Sequence, residues 1–80
     1  MDQKNIDIIK TCLNKAGLTD LPTNPNQNLS DYGMDSLLMV LTLAEIEKYL
    51  NKNIPVTNFN QNNFATINSI IVFLKKENLL

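Results

Sequence analysis

Leu29-Ser30-Asp31-Tyr32-Gly33-Met34-Asp35-Ser36-Leu37 is the stretch that decides how this 80-residue chain folds, because it closes a long irregular connection and opens a helix. Gly33 permits a tight turn. Asp35 and Ser36 are both good N-caps, since each carries a side-chain oxygen able to accept from an unpaired N–H of the first turn. From there to about Asn51, Met39, Leu43, Ile46 and Leu50 recur at spacings of four, three and four, one core-facing stripe of a helix. Glu45, Glu47 and Lys48 supply a polar side. Leu37, Leu38, Val40 and Leu41 extend the apolar surface around almost all of the first turn and a half. A helix apolar on every side is normally buried, but a domain this small buries only about 60% of its unfolded surface. Some of these residues are therefore expected at the surface.

Working outward, a first helix is expected over about Asp2 to Ala16. Ile6, Ile9 and Leu13 form its stripe and Ile8 and Cys12 widen it, while Lys4, Asn5, Lys10 and Asn14 face water. Gly17 is placed to end this helix in a left-handed conformation. Residues 18 to 35 form a long loop, kept irregular by Pro22, Pro25 and the polar run from Thr23 to Asn28. Leu18, Leu21, Leu29 and Tyr32 are candidates to pin it to the core. After the second helix, Pro55 makes Ile54-Pro55-Val56 extended. A short helical turn is expected around Phe59 to Phe64, and a last helix from about Thr66. Ile67, Ile70, Ile71 and Leu74 make its inner stripe, broadened by Val72 and Phe73; Lys75 and Lys76 suit its C-terminal dipole. The expected fold is all-α: a small four-helix bundle of three main helices and one short one, forming a single domain over residues 1–80.

The composition excludes most catalytic classes. There is no histidine, the usual general base and commonest metal ligand. The single cysteine, Cys12, excludes an internal disulfide and a cysteine-based zinc cluster, and reads as a small buried hydrophobe. No glycine-rich phosphate loop is present. Seven lysines without arginine, against eight acidic residues, give a net charge of -1 and no basic footprint for nucleic acid. No apolar run approaches the roughly 18 residues of a membrane span, and the N-terminus lacks a signal-peptide profile. A cytoplasmic monomer that is not an enzyme is expected.

What remains is Ser36. It lies in the first turn of a helix, at a junction that solvent and a large partner can reach. The partial positive charge and open N–H groups of a helix N-terminus favour a phosphate on its hydroxyl. Asp35 places a carboxylate beside that hydroxyl, able to hold a divalent ion brought by an incoming enzyme and substrate. Either residue also reads simply as a helix cap.

Asp-Tyr-Gly-Met-Asp-Ser-Leu-Leu, residues 31–38, resembles the attachment site of acyl carrier proteins. The likeness extends to chain length, helix order, the long first loop, Ile54-Pro55 after the second helix and Ala65-Thr66-Ile67 opening the last. It implies that a phosphopantetheinyl transferase moves 4′-phosphopantetheine from coenzyme A onto Ser36, with Asp35 assisting through a metal. The arm's thiol would then carry acyl groups as thioesters between a ligase, ketosynthase or peptide synthetase that loads or unloads it.

Two features set the chain apart within that resemblance. Fatty-acid carriers are strongly acidic and present carboxylates from the second helix, whereas Leu38 and Leu41 stand here where acids are usual. Gly-Met-Asp-Ser-Leu, residues 33–37, is similar to polyketide-type carriers. A free-standing carrier in a polyketide, lipopeptide or unusual-lipid pathway is therefore expected. Partners would read Leu37, Leu38, Met39, Leu41, Glu45 and Glu47, more by apolar contact than by charge. The competing readings are an aminoacyl or peptidyl carrier and an unmodified helical interaction module.

Overall fold

The computed structural model describes residues 3–54 and 60–80. Three α-helices are present among them: α1 (Gln3–Ala16), α2 (Ser36–Leu50) and α3 (Ile67–Lys76). Two short 3-10 turns, Leu29–Tyr32 and Gln61–Phe64, precede α2 and α3. No strand occurs among the described residues, so the chain is a small helical bundle.

α1 forms on the expected stripe, with Ile9, Cys12 and Leu13 buried and Ile6 and Ile8 packed at the edge of the core. It stops at Gly17, whose φ of 124° an L side chain rarely adopts. There the N–H of Leu18 donates to the Leu13 carbonyl at 3.0 Å, and that of Gly17 to the Asn14 carbonyl at 3.1 Å. This paired arrangement satisfies carbonyls left open at a helix end and turns buried Leu18 inward. A Cβ added at Gly17 would lie 3.3 Å from Leu38 Cδ2, so the turn also sets how closely α1 approaches the start of α2.

The long loop is ordered more than its composition suggests. Pro22 and Leu29 are buried, and the 3-10 turn at Leu29–Tyr32, absent from the sequence reading, lies within it. The loop is fastened to the approach to α3. Leu29 N–H donates to the Ala65 carbonyl at 2.8 Å, and Asn68 N–H to the Pro25 carbonyl at 3.0 Å. The side chains of Asn68 and Asn26 join at 2.6 Å. The asparagines therefore do local work: Asn24 Oδ1 accepts from Asn26 N–H, and Gln27 Oε1 from Asn24 N–H.

α2 buries Met39, Thr42, Leu43 and Ile46, with Leu50 packed at the core's edge. The Thr42 hydroxyl donates to the Leu38 carbonyl at 2.7 Å, so this buried polar group is satisfied. Asn51, at φ 54°, ends the helix in the left-handed region. The Glu47 carboxylate then accepts from the N–H of buried Ile54 at 2.8 Å and holds the departing chain. Pro55 and Val56, expected to be extended, and Phe59 lie outside the described residues.

The expected short fourth helix is the 3-10 turn Gln61–Phe64, which delivers Phe64 to the core. Capping boxes start both this turn (Asn60 with Asn63) and α3 (Thr66 with Ser69). Ile67, Ile70, Ile71, Phe73 and Leu74 are buried on α3. Val72, read from sequence as part of the inner face, points to solvent instead, because α3 buries one side only. α1 packs against both α2 and α3, whereas α2 and α3 meet each other much less closely.

Candidate functional site

Asp35 and Ser36 stand at the mouth of α2, and the structure divides the capping role that the sequence left open between them. Asp35 is the N-cap: its backbone is extended at φ -140°, and its Oδ1 accepts from the N–H of Leu38 at 2.9 Å. Its carbonyl takes the N–H of Met39 at 2.9 Å. Ser36 is the first helical residue, and its side chain is exposed and makes no hydrogen bond to any described residue. The hydroxyl is thus released from capping. The N–H groups of Ser36 and Leu37, which precede any i−4 carbonyl in the helix, open toward the same mouth.

Gly33 makes this junction possible. At φ 100° it ends the Leu29–Tyr32 turn, with its N–H directed at the Ser30 carbonyl, and returns the chain toward α2. Met34 N–H donates to the Leu29 carbonyl at 3.1 Å, which fixes the last residues before the cap.

A cleft of about 360 Å³ runs from Ser36 between α2 and the two 3-10 turns. Met34, Met39, Phe64 and Ala65 give it apolar lining. Asn28, Ser30, Gln61 and Asn62 give it uncharged polar groups. Met39 and Phe64 are almost fully buried, so the apolar part of the cleft continues into the core. The volume falls within the range typical of small-ligand sites, about 300–1,000 Å³.

The remaining residues singled out from sequence separate into distinct places. Leu37 is 66% exposed and Leu41 41%, and Val40 between them is 59% exposed. Leu38 is half-buried against the end of α1. Met39 is core and lines the cleft beside Ser36. Glu45 borders a second hollow, between α1 and α2, together with Cys12, Lys15 and Tyr49. Burial pushes the Cys12 thiol above its ordinary value, the Glu45 charge adds to this, and Lys15 opposes it. Glu47 is occupied by the Ile54 N–H. Asp35, Ser36 and Met39 therefore share one site, Leu37 and Leu41 share an outward face, and Glu45 and Glu47 turn elsewhere.

Sequence reasoning did not single out Met34, Phe64 or the rim residues Asn28, Gln61 and Asn62. The asparagine clusters mark loops, but nothing local tells that two loops distant in sequence meet across one cleft. Among the described residues no three side chains are grouped to hold a metal ion, so Asp35 offers a single ligand. No described helix is long and apolar enough to cross a membrane.

An open serine stands at a capped helix mouth, with a half-apolar cleft beside it. Residues 7–74 match the family model described as a phosphopantetheine attachment site. The chain belongs to that family. It is a carrier protein, holding covalently bound 4′-phosphopantetheine and serving phosphopantetheinyl transferase and acyl-handling enzymes without catalysing a reaction itself. No curated protein and no solved structure gives a significant match.

Proposed function

We propose that Ser36 is the residue that carries the arm. The observation that carries the assignment is its exposed hydroxyl, which needs no partner in the fold because Asp35 caps the helix in its place. In the transfer, the Ser36 oxygen forms a bond to the phosphorus of the phosphopantetheine half of coenzyme A. The bond to the adenosine 3′,5′-bisphosphate half breaks, and the serine proton passes to a base on the transferase. The open N–H groups of Ser36 and Leu37 would favour the attached phosphate, because the helix dipole there favours an anion. The attached arm supplies a thiol that carries acyl groups as thioesters.

Asp35 takes a second role in this reading. Its Oδ1 caps α2, and the rest of its exposed carboxylate supplies one ligand to a divalent ion whose remaining ligands come from the transferase and coenzyme A. Leu37, Leu38 and Leu41, with Glu45 and Glu47 further along α2, form the helix that partners read, and Met39 supports it from the core. The aliphatic start of α2 favours a dedicated carrier of a polyketide, lipopeptide or unusual-lipid pathway over one steered by carboxylates. We place it as a monomer in the cytoplasm, where coenzyme A is supplied.

Co-expression with a broad-specificity phosphopantetheinyl transferase, followed by intact mass, tests the assignment. The protein gains the mass of one phosphopantetheinyl group, and Ser36→Ala does not. A gain that persists in Ser36→Ala places the arm elsewhere and overturns the proposal.

A further inference from the structure

The carboxamide-rich runs at 24–28 and 60–63 divide into two sets. One set is spent inside the fold. Asn24 Oδ1 and Gln27 Oε1 each accept a loop N–H, Asn26 joins Asn68, and Asn60 and Asn63 close the capping box of the Gln61–Phe64 turn. The side-chain amides of Asn28, Gln61 and Asn62 form the other set. They are exposed and make no hydrogen bond to any described residue. These three, with the Ser30 hydroxyl, line the same cleft as Ser36. Two segments far apart in sequence thus bring unengaged amides to one place. Among the described residues lining that cleft, Asp35 alone is charged, and Met34, Met39, Phe64 and Ala65 are apolar.

We infer that this cleft holds the arm carried by Ser36, with Asn28, Gln61 and Asn62 as the partners of its amides. Ser36 is part of the cleft wall, so whatever is joined to it meets these side chains before any acyl group beyond it does. Past its phosphate the arm is uncharged: a dimethylated carbon and a hydroxyl, then a pair of amides, then the thiol. A carboxamide side chain both donates and accepts, so Asn28, Gln61 and Asn62 can answer an amide N–H and an amide carbonyl alike. Met34 and Ala65 suit the dimethylated carbon and the methylenes between the amides. The competing occupants fit less well. No lysine lines the cleft among the described residues, so an anionic ligand would find no counter-charge there and would meet Asp35. A long alkyl chain would take the side-chain amides from water and return no hydrogen bond. Hydrogen bonds at an open rim are individually weak, which leaves the arm free to depart for a partner enzyme. This inference rests on the assignment of Ser36.

The test uses isotope-labelled protein loaded with an unlabelled arm from coenzyme A, and intact mass confirms attachment before any comparison. Isotope-filtered nuclear Overhauser contacts connect arm protons with Met34 and Ala65. The side-chain amide signals of Asn28, Gln61 and Asn62 shift between the bare and the loaded protein, while that of Asn14 on α1 does not. Asn28→Ala, Gln61→Ala and Asn62→Ala are combined in one variant, all at exposed positions. The loaded variant loses those contacts, and its arm signals move to their positions in free pantetheine. An octanoyl thioester on the parent's arm leaves the arm contacts in place. If the loaded parent shows free arm signals and no contact with the cleft, or if the triple variant keeps every contact, the inference is wrong while Ser36 stands. Octanoyl protons that take over the contacts with Met34 and Ala65 overturn it as well, since the cleft is then a chain site. If the parent protein gains no mass, the Ser36 assignment fails and the inference fails with it.

Discussion

Asp35 joins two roles in one carboxylate, and two substitutions separate them. Asp35→Ala removes the oxygen that accepts from Leu38 N–H at 2.9 Å, as well as the charge beside Ser36. Asp35→Asn keeps an acceptor in the same place and removes only the charge. Losing an N-cap oxygen costs about 1 kcal/mol. For 80 residues, an unfolding entropy of about 2.1 cal/mol/K per residue converts that loss into a fall in Tm of about 6 °C. Asparagine caps as well as aspartate, so Asp35→Asn melts close to the parent. Far-UV circular dichroism melts read the first effect, and intact-mass time courses with transferase and coenzyme A read the second. If Asp35 also serves as a metal ligand, both variants are modified far more slowly than the parent. An Asp35→Asn protein that melts as low as Asp35→Ala refutes the capping argument. One that melts normally and is modified at the parental rate refutes the role in transfer.

Ser36→Ala abolishes the mass gain yet melts within about 3 °C of the parent, since exposed positions without partners shift stability by no more than about 0.5 kcal/mol. A larger fall would mean that the hydroxyl supports the fold after all. Glu47→Ala leaves the N–H of buried Ile54 without its acceptor and costs about 1–3 kcal/mol in urea unfolding. Glu47→Gln recovers most of that loss, and equal losses for the two would refute the link. Ile46→Ala, at a fully buried site on α2, costs about 2–5 kcal/mol; a loss below 1 kcal/mol would contradict the packing described. The raised pKa of Cys12 makes the folded state hold its proton more tightly than the unfolded chain. Its contribution is therefore complete below the ordinary value of 9.0 and is lost as pH rises past it toward the folded value. Chemical denaturation across that range shows a steeper alkaline fall for the parent than for Cys12→Ala, and equal slopes would refute the effect.

The helices were legible because each carries its own periodic stripe. Ile9 and Leu13, Met39, Leu43 and Ile46, and Ile67, Ile70 and Leu74 enter the core as their spacing requires. Gly17 ends α1 for a reason contained in the residue itself. The surplus of apolar residues at the start of α2 was also readable as a surface, and Leu37, Val40 and Leu41 are indeed exposed. What sequence could not supply were contacts between distant segments. The turn at Leu29–Tyr32 depends on Leu29 being buried and on its N–H reaching Ala65, neither of which local propensity encodes. The destinations of Glu45 and Glu47 were equally hidden, since one depends on α1 and the other on the chain that follows α2. Val72 was misread because a run of apolar residues on α3 does not reveal how wide a side its neighbours cover.

The fastening of the long loop to Asn68 sets where the chain tolerates insertion. Before Pro25 the connection is held by side-chain burial at Leu18 and Pro22, with Thr19, Asp20 and Thr23 at the surface. Extra residues at Thr19-Asp20 would only lengthen a closed loop, at about 0.6 kcal/mol for each doubling. From Pro25 to Leu29 the spacing is fixed at both ends by bonds to Asn68 and Ala65. One residue inserted at Gln27-Asn28 would put those two attachments out of step and shift the rim beside Ser36. Variation in length belongs to the first half of the connection, while the second half acts as a ruler.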